Sequence, residues 1–204
     1  MKKLARLTLV LVFATCGLSA LAQDTPSDTV RRAIHVCAAC HGDSGRVVDP
    51  SIPALAGQTA QYLQQQLKDF RSQTRSEPNL KAYMWGVSAL LDDATIAGLA
   101  DYYAGLAPRA GHPGPAKLVA AGKKIYEQGF PQRGVKACAD CHGADAEGQA
   151  AFPRLAGQHA AYVQSQLQVF RFTPLRPHGV LMKSELRGLS PAEMKAVAAY
   201  VESR

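Results

Sequence analysis

Cys37-Ala38-Ala39-Cys40-His41-Gly42 returns as Cys138-Ala139-Asp140-Cys141-His142-Gly143, 101 positions further along the chain. Around these two hexapeptides the whole chain is one pattern written twice. Ile52-Pro53-Ala54-Leu55-Ala56-Gly57-Gln58 returns as Phe152-Pro153-Arg154-Leu155-Ala156-Gly157-Gln158 at an offset of 100. At that offset 12 of the 20 positions from Ile52 to Arg71 are identical, which excludes coincidence. A third block sets Met84-Trp85 through Leu91-Asp92-Asp93 against Met182-Lys183 through Leu189-Ser190-Pro191, at an offset of 98. The falling offset puts small deletions in the surface connections between blocks. Between the copies runs 107–115, with three prolines and two glycines in nine residues, the composition of a semi-stiff linker. Two domains follow, 23–106 and 116–204, joined by that linker.

Each copy reads as helices and loops. Helical stretches are expected from Thr29 to Cys37 and from Lys117 to Gln128. After each Ala-Gly-Gln, Tyr62, Leu63, Leu67 and Phe70 recur at helical spacing, matched by Tyr162, Val163, Leu167 and Phe170. Ser190-Pro191-Ala192-Glu193 is a capping box with proline at the first helical position, and Asp92 opens the same helix in the first copy. Neither copy contains an alternating strand, so the class is all-α. A helical domain of about 85 residues buries a modest core and gains from a large apolar cofactor at its centre.

The first 22 residues read as a leader. Lys2, Lys3 and Arg6 are followed by the apolar run Leu7 to Phe13 and by Ala20-Leu21-Ala22, so cleavage is expected after Ala22. Leu7 to Ala22 is 16 residues, interrupted at Thr15, Cys16 and Gly17, and a membrane span needs about 20. Lipidation at Cys16 is disfavoured by the poor match of Phe13-Ala14-Thr15 to a lipobox. Removing three basic residues with the leader lowers the formal charge from +7 to +4. No Lys/Arg run with interleaved aromatics supports nucleic-acid binding, and a charge of this size tunes docking with a partner.

Four cysteines remain, as the pairs Cys37/Cys40 and Cys138/Cys141. In an oxidising compartment all four should be covalently occupied. Two cysteines three apart sit on one helical turn, where each can form a thioether to one haem vinyl group. The histidine that follows, His41 or His142, then points at the iron from the same side. A thioredoxin-like pair needs a βαβ setting, a zinc site would have to join pairs about 100 residues apart, and a disulfide explains neither histidine. Covalent haem c, two to the chain, fits best.

Met84 and Met182 hold equivalent places before the closing helix, each expected in a loop, and are the candidate sixth ligands. Met194 aligns with Ile96 on that helix and reads as core. Histidine is the competing ligand type, but His178 faces Leu80 in the repeat, His159 faces Thr59, His112 is in the linker and His35 is too close to Cys37. These four read as surface or cofactor-edge residues. Pro53 and Pro153, which follow the axial histidines by 12 and 11 residues, are candidates to present the carbonyl that orients each imidazole. Tyr62, Tyr162 and Trp85 are expected either on the cofactor or in the core, and Phe70 and Phe170 in the core.

Two Cys-x-x-Cys-His units, each followed by Pro-x-Leu-Ala-Gly-Gln and a methionine ahead of an Ala-Tyr-ending helix, resemble the dihaem cytochromes c4 over the whole mature chain. The resemblance implies two tandem class I cytochrome c domains related by a pseudo-twofold axis, with Cys37, Cys40, Cys138 and Cys141 attaching the haems. It also implies His41 and His142 as proximal ligands, and Met84 and Met182 as distal ones. The implied function is periplasmic electron transfer from a cytochrome bc complex or a dehydrogenase to a terminal oxidase or reductase. With six ligands to each iron no catalytic residue is expected, and the carrier reads as a monomer that associates with a membrane at most peripherally. The alternatives are a cytochrome subunit dedicated to one periplasmic dehydrogenase and a dihaem redox enzyme with an open iron site.

Overall fold

The computed structural model describes residues 26–78 and 81–204; the leader read at 1–22 lies outside the described residues. The N-terminal half contains α1 (Asp28–His41), α2 (Ala60–Arg71), α3 (Lys81–Ser88) and α4 (Asp93–Ala104). The C-terminal half contains α5 (Ala116–Gln128), α6 (Ala139–His142), α7 (Ala160–Phe172), α8 (Val180–Glu185) and α9 (Pro191–Glu202). Among the described residues the only extended pairing is two isolated bridges, Phe130 with Val135 and Gln149 with Phe152. The architecture is all-α.

The helix starts follow from their caps. The Ser27 hydroxyl accepts from the Val30 amide, Thr59 from Tyr62 and Asp92 from Thr95. At α9 the reciprocal box forms as the sequence predicts, with Ser190 and Glu193 each satisfying the other's backbone amide. His41 and His142 each end a helix, followed by Gly42 and Gly143 at φ +79° and +83°. That left-handed backbone lets the chain turn away immediately after each histidine.

In each half the opening helix crosses the closing helix, α1 on α4 and α5 on α9; α2 and α7 pack on the closing helices, with α3 on α2 and α8 on α7. Val30, Leu63, Leu99, Ala100 and Tyr103 form the core of the N-terminal half. In the C-terminal half Ile125, Tyr126, Leu167, Met194, Val197 and Val201 belong to a larger one. Arg71 and Arg171 perform the same task in the two copies, each donating from Nη1 to a carbonyl just before the closing helix, Leu91 and Leu189.

The halves meet across a pseudo-twofold axis, and the glutamines of the two Ala-Gly-Gln blocks make the joint. Gln58 donates to the Arg154 carbonyl (3.0 Å) and accepts from the Arg154 amide (2.7 Å). Gln158 does the same to Ala54, at 2.9 Å for both bonds. Each glutamine side chain thus mimics a strand partner for the other half's backbone. The linker packs down onto the C-terminal half, with Arg109 Nη1 donating to the Gly157 carbonyl (2.8 Å) and the His112 amide to the Glu202 carbonyl (2.9 Å).

Candidate haem-attachment sites

Cys37, Cys40 and His41 lie on the last turn of α1, and Cys138, Cys141 and His142 on and beside the short α6. None of the four cysteines is paired in a disulfide. Burial pushes the Cys37 thiol above its ordinary value and that of Cys138 up to about 11. An upward shift at Cys37 and Cys138 is the opposite of the low-pKa thiolates of disulfide oxidoreductases. Among the described residues no group of three His, Cys, Asp or Glu side chains could hold a metal ion.

Both imidazoles are buried, and burial holds each below the ordinary histidine value even though a carbonyl hydrogen bond works the other way. That carbonyl belongs to Pro53 for His41 and to Pro153 for His142, 2.9 Å from Nδ1 in each case. A carbonyl only accepts, so Nδ1 carries the proton and Nε2 keeps its lone pair free. A neutral, oriented imidazole beside a pair of thiols one helical turn apart is the donor set that a covalent haem requires.

Met84 and Met182 are half-buried, and Met182 packs against the C-terminal core. Neither sits in a loop; they lie on α3 and α8, short helices that the sequence did not announce. Trp85 anchors α3 by donating from Nε1 to the Arg75 carbonyl (2.8 Å). Exposed apolar side chains lie on and near the same short helices, Tyr83, Val87 and Leu90 in one half and Val180 and Leu181 in the other.

The histidines outside the motifs divide. His35 and His112 are exposed, as expected. His159 is not a surface residue: it is 4% exposed, with Nε2 donating to the Val47 carbonyl of the other half (2.9 Å). His178 reaches across the interface, its Nδ1 2.9 Å from Oδ2 of the buried Asp69. Met194 is core, 1% exposed.

Sequence reasoning missed a second set of repeated residues, on the faces that meet. Tyr62 and Gln66 of α2 confront Tyr162 and Gln166 of α7, with Arg75 and Arg176 between them. The signal was present: Gln58, Tyr62 and Gln66 are four apart and recur unchanged at an offset of 100, a polar stripe on one helical face that no core needs.

The family model described as cytochrome c matches residues 32–106 and 119–204. The chain is 35% identical to cytochrome c4 of Azotobacter vinelandii over 97% of both chains. It is also 35% identical to the thiosulfate dehydrogenase electron acceptor of Thiomonas intermedia, covering 82% of this chain and 78% of that one. Among solved structures, cytochrome c4 of Acidithiobacillus ferrooxidans aligns with a TM-score of 0.76 at 38% identity, over 82% of this chain and 98% of that one. Fold and donor sets together define a c-type cytochrome of two tandem class I domains. The chain belongs to the dihaem cytochrome c4 family, and it binds two covalently attached haem c groups.

Proposed function

We propose that this protein is an exported electron carrier that shuttles electrons between redox proteins in the periplasm, from a cytochrome bc complex or a dehydrogenase to a terminal oxidase or reductase. In this reading Cys37 and Cys40 attach one haem, and Cys138 and Cys141 the other. His41, His142, Met84 and Met182 would be the ligands that hold the irons. Haem c, when bound, supplies the one-electron iron couple. The observation that carries the reading is the duplicate donor set: both halves offer the same two thiols, the same carbonyl-oriented imidazole and an equivalent methionine.

The protein's own part is to bind, exclude water and present a docking surface. Burial keeps each imidazole neutral and able to ligate. A methionine ligand would raise the potential of an iron relative to harder donors and would leave little room for substrate chemistry at the metal. The exposed apolar side chains on α3 and α8 suit brief contact with a partner, since a carrier must also release it. A second reading is favoured by one finding, the likeness to a relative named as an electron acceptor of thiosulfate dehydrogenase. In that reading the same ligands serve a single dedicated dehydrogenase.

Absorption spectra of the oxidised protein test the ligation. Met84→Ala and Met182→Ala should each remove about half of the band near 695 nm that reports iron–methionine bonding. Full retention of the band in either variant would overturn that methionine's assignment. Co-purification with one dehydrogenase, and no reduction by a cytochrome bc complex, would select the second reading.

A further inference from the structure

At the joint between the halves lies a cluster of charge that obeys the pseudo-twofold axis in every member but one. Arg75 stacks on Phe70 of its own half, 4.3 Å from the ring centre, and Arg176 stacks on Phe170 at 4.6 Å. Arg75 donates to Gln66 Oε1 of its own half (2.9 Å), and to Tyr162 Oη (3.3 Å) and Gln166 Oε1 (3.4 Å) of the other. Arg176 donates to its own Gln166, and to Tyr62 Oη (3.1 Å) and Gln66 Oε1 (2.8 Å) across the interface. The exception is Glu77. It stands two residues after Arg75, whereas the residue two after Arg176 is His178, which is not an acid.

Glu77 Oε1 lies 2.5 Å from Arg75 Nη2 and 3.5 Å from Arg176 Nη1. The three side chains are 7%, 7% and 5% exposed, so water screens none of them. One anion therefore serves two buried cations that belong to different halves. Burial alone would push the Glu77 carboxyl up, but Arg75 and then Arg176 outweigh it and hold it below the usual carboxylate range. The other charged or titratable groups here are Tyr62 on α2, Tyr162 on α7, and the Asp69–His178 pair, which forms a separate contact across the same interface.

We propose that Glu77 is a positioning residue for electron transfer within the molecule, the shared anion that draws Arg75 and Arg176 together and so fixes the orientation of one domain against the other. The proposal rests on the carrier reading with one haem in each half. Without Glu77 two guanidiniums face one another in a site that excludes water, where repulsion is stronger than at the surface. The neutral Gln58 and Gln158 bonds hold the opposite end of the interface, so the halves would splay about that end. Tyr62, Gln66 and their counterparts cannot substitute, because they offer no charge.

The test is Glu77→Gln in the holoprotein, which keeps the side chain's shape and removes its charge. Small-angle scattering should show a larger radius of gyration. Electron equilibration between the haems after photoreduction of one of them should slow about tenfold or more, since small misplacements of reacting groups can cost up to about a hundredfold. Haem content and the 695 nm band should be unchanged, which separates failure of this proposal from failure of the carrier reading. Glu77→Gln combined with Arg176→Gln removes one cation along with the anion and should restore both the compact shape and the fast exchange. An unaltered shape and rate in the single variant would overturn the proposal, and so would a double variant as impaired as the single one.

Discussion

The N-terminal half carries its attachment residues on the last turn of a helix of 14 residues, whereas the C-terminal half puts them on a separate helix of four. In the second half the opening helix stops at Gln128 and a loop with a 3-10 turn at Pro131–Arg133 leads to the cysteines. That loop adds Val135 to the C-terminal core, and Phe130 packs beside it. The cores differ accordingly: among the described residues, 16 buried apolar side chains lie in the C-terminal half and ten in the N-terminal one. One pattern thus gives two levels of self-sufficiency. The first half depends more on the cofactor to complete its interior, because a smaller core leaves less apolar burial to offset the entropy of ordering the chain.

The largest effect should come from removing the attachment chemistry. Cys37→Ala with Cys40→Ala should abolish haem in the N-terminal half and its cooperative thermal transition as well. Cys138→Ala with Cys141→Ala should leave residual helicity in the C-terminal half; circular dichroism melts and haem staining read both. Equal loss of helix in the two variants would refute the difference in self-sufficiency. Next are the equivalent core positions on the closing helices. Ile96 is 0% exposed and Met194 1%, so truncating either to alanine should cost about 2–5 kcal/mol by denaturant titration.

The helix crossings differ in a way that predicts a smaller effect. Gly98 on α4 meets Val30 of α1, and a Cβ there would lie 2.6 Å from a Val30 methyl. In the other half the glycine is on the opposite partner: Gly122 of α5 meets α9, and its Cβ would lie 2.0 Å from the Ala196 carbonyl oxygen. A methyl can shift, but a helical carbonyl cannot. Gly122→Ala should therefore cost about 1–3 kcal/mol despite the better helix propensity of alanine. Gly98→Ala should cost less, and the reverse order of melting temperatures would contradict this account of the two crossings.

The smallest effect concerns the caps of the closing helices. Ser190→Ala removes a hydroxyl acceptor and should cost about 1 kcal/mol. Asp92 does the equivalent work with a carboxylate, and the side-chain and backbone hydrogen bonds from Thr95 hold its pKa below the usual carboxylate range. A depressed folded value means that its contribution is complete above the unfolded value and is lost as pH falls through the folded one. Asp92→Asn should flatten that acid dependence of the N-terminal transition while leaving neutral-pH stability nearly unchanged. A melting temperature with the same acid slope in both proteins would assign the acid sensitivity elsewhere.

Much of this molecule was legible before any coordinates, because the features concerned are local. A capping box, a cysteine pair on one turn and a histidine beside it are fixed within a few residues, and duplication marked each of them twice. Pro53 and Pro153 could be named as the residues whose carbonyls accept from the imidazoles for the same reason: they recur at nearly constant distance from the histidines. The helices around Met84 and Met182 were not legible. Each is short, and α3 is held by packing on α2 and by the Trp85 bond to the Arg75 carbonyl rather than by its own propensity.

His159 shows the same limit from the other side. It aligns with a surface-type threonine, yet it is buried because the second half brings it against Val47 of the first. Gln58, Gln158, Arg75, Arg176 and Glu77 carry polar groups whose worth depends wholly on which surface faces them. Residues around 100 positions apart find one another only when two complete domains dock. Chain composition and periodicity report how a segment folds on its own core, and they are silent about how one finished body sits against another.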